Sequence, residues 1–160
     1  MIEYSVFYTK NFDFDEFTCK CKRCNPGAYI MRLDFVDRLQ RLRDCINEPI
    51  DVLNGIRCFY DHFYDVCKGD RNKYYESEHQ FGNAADIRIS KKRTKGDMIR
   101  LAEKAKLMGF KRIGFYPGSW FCHLDMAEPS PSEAWIFDGK TYIYYRNFSD
   151  ALSVVKSNLY

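Results

Sequence analysis

No window of this chain approaches the ~20 consecutive apolar residues that a membrane-spanning helix needs, which excludes insertion into a bilayer. The opening residues Met1-Ile2-Glu3-Tyr4 carry an acidic, mixed pattern in place of a positive start followed by an apolar run. No export signal is therefore expected, and the reading is a protein that stays in the cytoplasm until release to its site of action, or that rides in a virion. There is no basic stripe either: 25 basic and 22 acidic residues are dispersed along the chain, leaving a net charge of +3. That pattern does not suit a phosphate backbone, and nucleic acid is not an expected partner. The densest basic run, Lys91-Lys92-Arg93 with Lys95, reads as a solvated turn. Repeats and low-complexity linkers are missing as well, so 160 residues are expected to form one domain, 1–160, with a single core.

Cysteine is the exception to this scarcity. Seven cysteines are many for the length, but the odd count without an export signal argues against a complete secreted disulfide framework. Three of them fall within six positions, Cys19-Lys20-Cys21-Lys22-Arg23-Cys24. This cluster suggests a second, structural zinc or a redox-sensitive pair, a full thiolate site needing a fourth ligand from Cys45, Cys58 or Cys67. Free or partly disulfide-bonded thiols are the alternative.

From about Arg32 to Asn47, Phe35, Val36, Leu39, Leu42 and Ile46 recur at helical spacing, predicting an amphipathic helix. Pro49 ends it, and Ile50 to Leu53 reads as a strand closed by Asn54-Gly55. Residues Phe59 to Cys67 have mixed helical spacing, and Lys68 to Glu78 has the composition of a loop. Ala84 to Ile89 is a second strand. Thr94 and Asp97 form a capping signature for a helix with Met98, Leu101, Ala102, Ala105 and Met108 on its apolar stripe, stopping at Gly109. Arg112 to Tyr116, Trp120 to Leu124 and roughly Ala134 to Tyr145 read as strands, and the last ~12 residues as a terminal helix. The expected class is α+β: a small, largely antiparallel sheet with helices packed on one side.

Histidine is rare, and two of the three, His79 and His123, stand in informative surroundings. In Ser77-Glu78-His79-Gln80-Phe81-Gly82-Asn83-Ala84-Ala85-Asp86 an imidazole and a carboxylate flank a glycine turn that can fold both toward one point. In Phe121-Cys122-His123-Leu124-Asp125 strand alternation points His123 and Asp125 to one side and Cys122 to the other. Zinc takes imidazole nitrogens and carboxylate oxygens, and a catalytic site keeps three protein ligands with a fourth position open. His79, Asp86 and His123 are the candidate set. Two histidines and one carboxylate also suit iron.

The pattern Ser-x-His-x-x-Gly-x-Ala-x-Asp followed by His-x-Asp resembles the zinc D-alanyl-D-alanine peptidases of the M15 family. Phe14-Asp15-Glu16-Phe17, Asn54-Gly55-Ile56-Arg57-Cys58 with His62, and Gly109 to Tyr116 resemble the same family in the same order. The resemblance spans about residues 12–125, with 126–160 as an extension completing the fold, and is nearest to the compact subgroup of phage lysis enzymes and wall-remodelling hydrolases. It implies a D-Ala-D-Ala carboxypeptidase/Hedgehog-like α+β fold, Zn2+ as cofactor, and hydrolysis of D-Ala-type peptide bonds in peptidoglycan, as carboxypeptidase or endopeptidase; separately from the resemblance, a monomer is expected. By the same resemblance Arg57 stabilises developing negative charge. The acidic residue that better-known members carry three positions before the second zinc histidine is replaced by Trp120. Asp125 is then either the general base or the group that orients a zinc histidine. His62, Ser77, Tyr116 and Trp120 are expected along the substrate cleft. With no acid at Trp120, the alternative function is a non-catalytic, metal-bearing wall-binding or structural protein.

Overall fold

A computed structural model describes residues 9–25 and 29–157; the N-terminal residues read above for an export signal lie outside them. A short helix α1 (Phe14–Phe17) precedes α2 (Leu33–Ile46), whose Phe35, Leu39, Leu42 and Ile46 are buried at the spacing the sequence predicts. Each such side chain contributes about 1.5–3 kcal/mol on burial. Asn47 closes α2 in the left-handed conformation at φ 55°. Strand β1 (Ile50–Asn54), a π-helical segment at Asp61–Val66, and a 3-10 turn at Glu78–Phe81 lead to β2 (Ala84–Ile89). Helix α3 (Lys95–Leu107) is capped by Thr94, whose side chain accepts from the Asp97 amide. The remaining elements are β3 (Arg112–Tyr116), β4 (Phe121–Asp125), β5 (Ala134–Phe137), β6 (Tyr142–Tyr145) and α4 (Phe148–Ser157).

The six strands form one sheet in the order β1-β2-β4-β3-β5-β6, parallel only between β3 and β5. The fold is thus α+β with a mostly antiparallel sheet, as the patterning predicts. Alternation divides the sheet into two faces. Ala85, Ile87, Ile113, Phe115, Leu124 and Ile136 point into one buried cluster with the apolar stripes of α2, α3 and α4. Cys122 shares that face, its thiol directed at the Met98 carbonyl of α3. The opposite face carries polar chemistry, and the register explains how. Asn54, Asp86, His123, Gly114, Trp135 and Tyr144 are successive cross-strand partners, one row running across all six strands. A second row beside it joins Ala84, Asp125 and Arg112.

Candidate metal centre

Two of the three candidate ligands are neighbours because β2 and β4 pair Asp86 with His123. His79 arrives from the 3-10 turn, which ends at Gly82 with φ 64°. A Cβ at Gly82 would lie 2.3 Å from the Ile30 carbonyl oxygen, so this tight reversal requires glycine. His79 Nε2 lies 3.2 Å from His123 Nδ1 and 3.4 Å from Asp86 Oδ1, and His123 Nδ1 lies 2.9 Å from Asp86 Oδ1. For a tetrahedral ion with arms of about 2.0–2.1 Å, ligand atoms are about 3.3 Å apart. The three side chains therefore fit a first-row divalent cation, and all three are buried.

Each remaining polar atom of the triad is held by the protein. His79 Nδ1 meets the Gly55 carbonyl oxygen at 2.6 Å, which makes it the N–H donor and leaves Nε2 free to ligate. His123 Nε2 faces Asp125 Oδ2 at 3.1 Å. Asp86 Oδ2 accepts from Asn54 Nδ2 at 3.1 Å and from Arg57 Nη2 at 3.2 Å. Arg112 grips Asp125 with Nε at 2.8 and 3.1 Å and Nη2 at 2.8 Å, and Asp125 is fully buried.

Electrostatics follow from this packing. Burial disfavours the charged form of Asp86, but His79 and His123 outweigh it and hold the carboxyl well below its usual range. Burial lowers the pKa of His79, whereas at His123 the same burial is outweighed by Asp125 and Asp86, which raise it to about 9. In the metal-free protein the pair thus carries its proton on His123 at neutral pH. Because that pKa is raised above the ordinary 6.5, its stabilising contribution is fully present below about pH 6.5 and is lost as pH rises through about 9. Cation binding at pH 7 must expel this proton. Calorimetry in buffers of different ionisation enthalpy is expected to report release of about one proton at pH 7, diminishing as the pH rises through about 9.

The triad lies at the floor of an open cleft that also takes in Arg57, Ser77, Glu78 and Arg112. Its aromatic wall includes Tyr75, Tyr116, Trp135, Tyr142 and Tyr144. Trp135 stands 5.1 Å from the His123 ring and donates to Tyr116 Oη at 3.3 Å. The Trp135 ring lies over Gly114, where a Cβ would come within 2.4 Å of it.

Of the residues expected along the cleft, Ser77 and Tyr116 line it. His62 does not: it is fully buried in the π-helical segment, its Nε2 3.7 Å from Cys67 Sγ and its ring edge-on to Tyr75. Trp120 is also outside the lining, because it precedes β4 in a turn at φ 56° and packs against the core. Arg57 and Asp125 both contact ligand side chains. Trp135, Arg112, Asn54 and Tyr144 were not singled out by sequence reasoning; period-two alternation places them on a face, but the pairing register is what brings them to the site.

Residues 10–125 match the model of the Peptidase M15 family. A comparison with curated proteins gives no match. The matched stretch contains all three triad residues, while Trp135, Tyr142 and Tyr144 of the cleft wall lie beyond it. The chain belongs to the Peptidase M15 family of metal-dependent peptidases.

Proposed function

We propose that this protein is a zinc-dependent hydrolase of D-Ala-type peptide bonds in peptidoglycan stem peptides or crosslinks. The observation that carries the reading is the triad itself: two imidazoles and a carboxylate spaced for a tetrahedral ion, on the floor of an open cleft, in a chain of this peptidase family. A bound zinc supplies Lewis-acid polarisation of the scissile carbonyl and a water nucleophile effective near neutral pH. The protein supplies position. Gly55 and Asp125 fix the rings of His79 and His123, and Asn54 and Arg57 fix Asp86. Arg57 is only partly buried, and its guanidinium at the cleft stabilises negative charge developing on the carbonyl oxygen. Ser77 and the tyrosines of the cleft suit a polar, hydrated peptide better than an apolar one. The protein acts as a monomer on the cell wall, after release from the cytoplasm or from a virion.

Asp125 acts through His123. With Arg112 on both of its oxygens it is a poor proton acceptor, so we assign it to orienting the imidazole and not to general base catalysis. Asp125→Asn is expected to weaken zinc affinity by about 10–100-fold, with kcat largely recovered at saturating zinc. A kcat loss of about 100-fold or more that excess zinc does not relieve is the general-base result instead.

That same occupation of Asp125, with Trp120 where an acid is expected, favours the second reading, a metal-bearing wall-binding protein without catalysis. Incubation of the zinc-loaded protein with defined peptides decides between them. Mass spectrometry is expected to show cleavage at a D-Ala-type bond of a stem peptide or of a crosslinked dimer and none at an L-Ala-L-Ala equivalent; binding to peptidoglycan with no cleavage of any of them establishes the second reading.

A further inference from the structure

Outside the cleft, four thiols converge. Cys19, Cys21, Cys24 and Cys58 each place Sγ within 4.8 Å of the others. Cys21 Sγ is 3.4 Å from Cys24 Sγ and 3.3 Å from Cys58 Sγ, far beyond the ~2.05 Å of a disulfide. A tetrahedron with Zn–S arms of about 2.3 Å has edges of about 3.8 Å. Two of the sulfur–sulfur separations are thus slightly shorter than a cage edge, and all four sulfurs lie close enough for one ion to draw them onto it. We propose that Cys19, Cys21, Cys24 and Cys58 form a second metal site, a closed, structural zinc site distinct from the His79, Asp86, His123 centre.

Three further observations support it. Backbone amides are directed at the sulfurs, Cys58 N–H to Cys19 Sγ and Asp61 N–H to Cys58 Sγ, each at 3.4 Å, as donors that stabilise thiolates are. Four thiolates around one Zn2+ carry a net charge of about −2, and Lys20, Lys22 and Arg23 are interleaved with the ligands to offset it. All four protein ligands are present with no acid or imidazole in the set, the composition of a closed structural site, which keeps no position for substrate.

The site's place in the chain gives it work. Cys19 to Cys24 follow α1 in a stretch without regular structure, while Cys58 comes just after Gly55, Ile56 and Arg57. The Ile56 amide already donates to the Phe17 carbonyl at 2.7 Å. A metal cross-link between these segments closes a long loop and pins the turn whose Gly55 carbonyl holds His79. Loading releases the thiol protons, so affinity falls as pH falls.

The test is metal analysis of protein purified under reducing conditions. Wild type is expected to hold two zinc ions per chain, and His79→Ala/His123→Ala to keep one. Loaded with cobalt in place of zinc, that double variant is expected to show the intense thiolate-to-metal charge-transfer absorption that imidazole and carboxylate ligands do not give. Cys21→Ser/Cys24→Ser is expected to lose that absorption. Should either variant fail to fold, alkylation of the wild type decides: Cys21 and Cys24, both partly exposed, are expected to be protected by zinc and to react after chelation. Reduced thiols with no charge-transfer band on cobalt loading, iron in place of zinc, or alkylation indifferent to chelation each overturns the site. None of these readouts depends on peptidoglycan cleavage, so a failure here leaves the hydrolase reading standing, and the reverse.

Discussion

His123→Ala is expected to reduce hydrolysis to the level of the metal-stripped protein. The imidazole does two things at once. Its Nδ1 completes the ligand set, 2.9 Å from Asp86 Oδ1, and its Nε2 stands between that set and the buried Asp125 carboxylate at 3.1 Å. Losing an outer partner of a metal ligand costs about 10–100-fold, and losing the ligand costs more. The remaining His79 and Asp86 give only two protein ligands, below the three that a catalytic zinc site retains. Removing the imidazole also takes a buried hydrogen-bond partner from Asp86 and Asp125, which Arg57 and Arg112 still neutralise, a loss of about 1–3 kcal/mol. The metal-free variant should therefore melt earlier than metal-free wild type below pH 9, where His123 is protonated, and the gap should narrow above it. Zinc titration together with thermal melts at pH 7 and pH 10 measures both effects; unaltered zinc affinity would remove His123 from the ligand set.

Gly55→Ala is expected to damage the centre without touching a ligand. The new Cβ would lie 2.7 Å from both the Cα and the carbonyl oxygen of Phe17, backbone atoms that cannot rotate away. The Gly55 segment must then move, and its carbonyl oxygen is the 2.6 Å partner that selects the ligating tautomer of His79. Overpacking of this kind costs about 1–3 kcal/mol. For a chain of this size each kcal/mol lowers Tm by about 2–4 °C. The metal effect should exceed the stability effect, since zinc affinity falls about 10–100-fold when a ligand's supporting partner is misplaced. A lowered Tm with unchanged zinc affinity would show that His79 does not depend on this carbonyl.

Much of the fold was legible because period and punctuation agreed. The stripe through Phe35, Leu39, Leu42 and Ile46, and the Thr94–Asp97 cap, each gave an element within a residue or two of its observed bounds. Alternation alone put His123 and Asp125 on one face of β4 and Cys122 on the other, as found. What was not legible was register. Nothing local to β2 or β4 reveals that Asp86 sits opposite His123, or that Gly114 leaves room for the ring of Trp135. The sequence shows Arg112 only as the first residue of a strand, and it is the pairing of β3 with β4 that sets it on Asp125. His62 and Trp120 were misplaced for a related reason. A histidine in a mixed-period segment can face in or out, and the π-helical turn at Asp61–Val66 buries it. The pattern of Trp120 to Leu124 predicts a strand that includes Trp120, but the reversal after Tyr116 gives this residue a positive φ and leaves the strand to begin at Phe121.

The central proposal is that an ion held by His79, Asp86 and His123 makes the protein a peptidoglycan hydrolase. The direct measurement is the appearance of new amino groups in purified peptidoglycan exposed to zinc-loaded, chelator-stripped and zinc-restored protein. Release by the loaded form, its disappearance on stripping and its return on restoration are the predicted result. Peptidoglycan left untouched by folded protein that carries zinc at this triad would contradict the account.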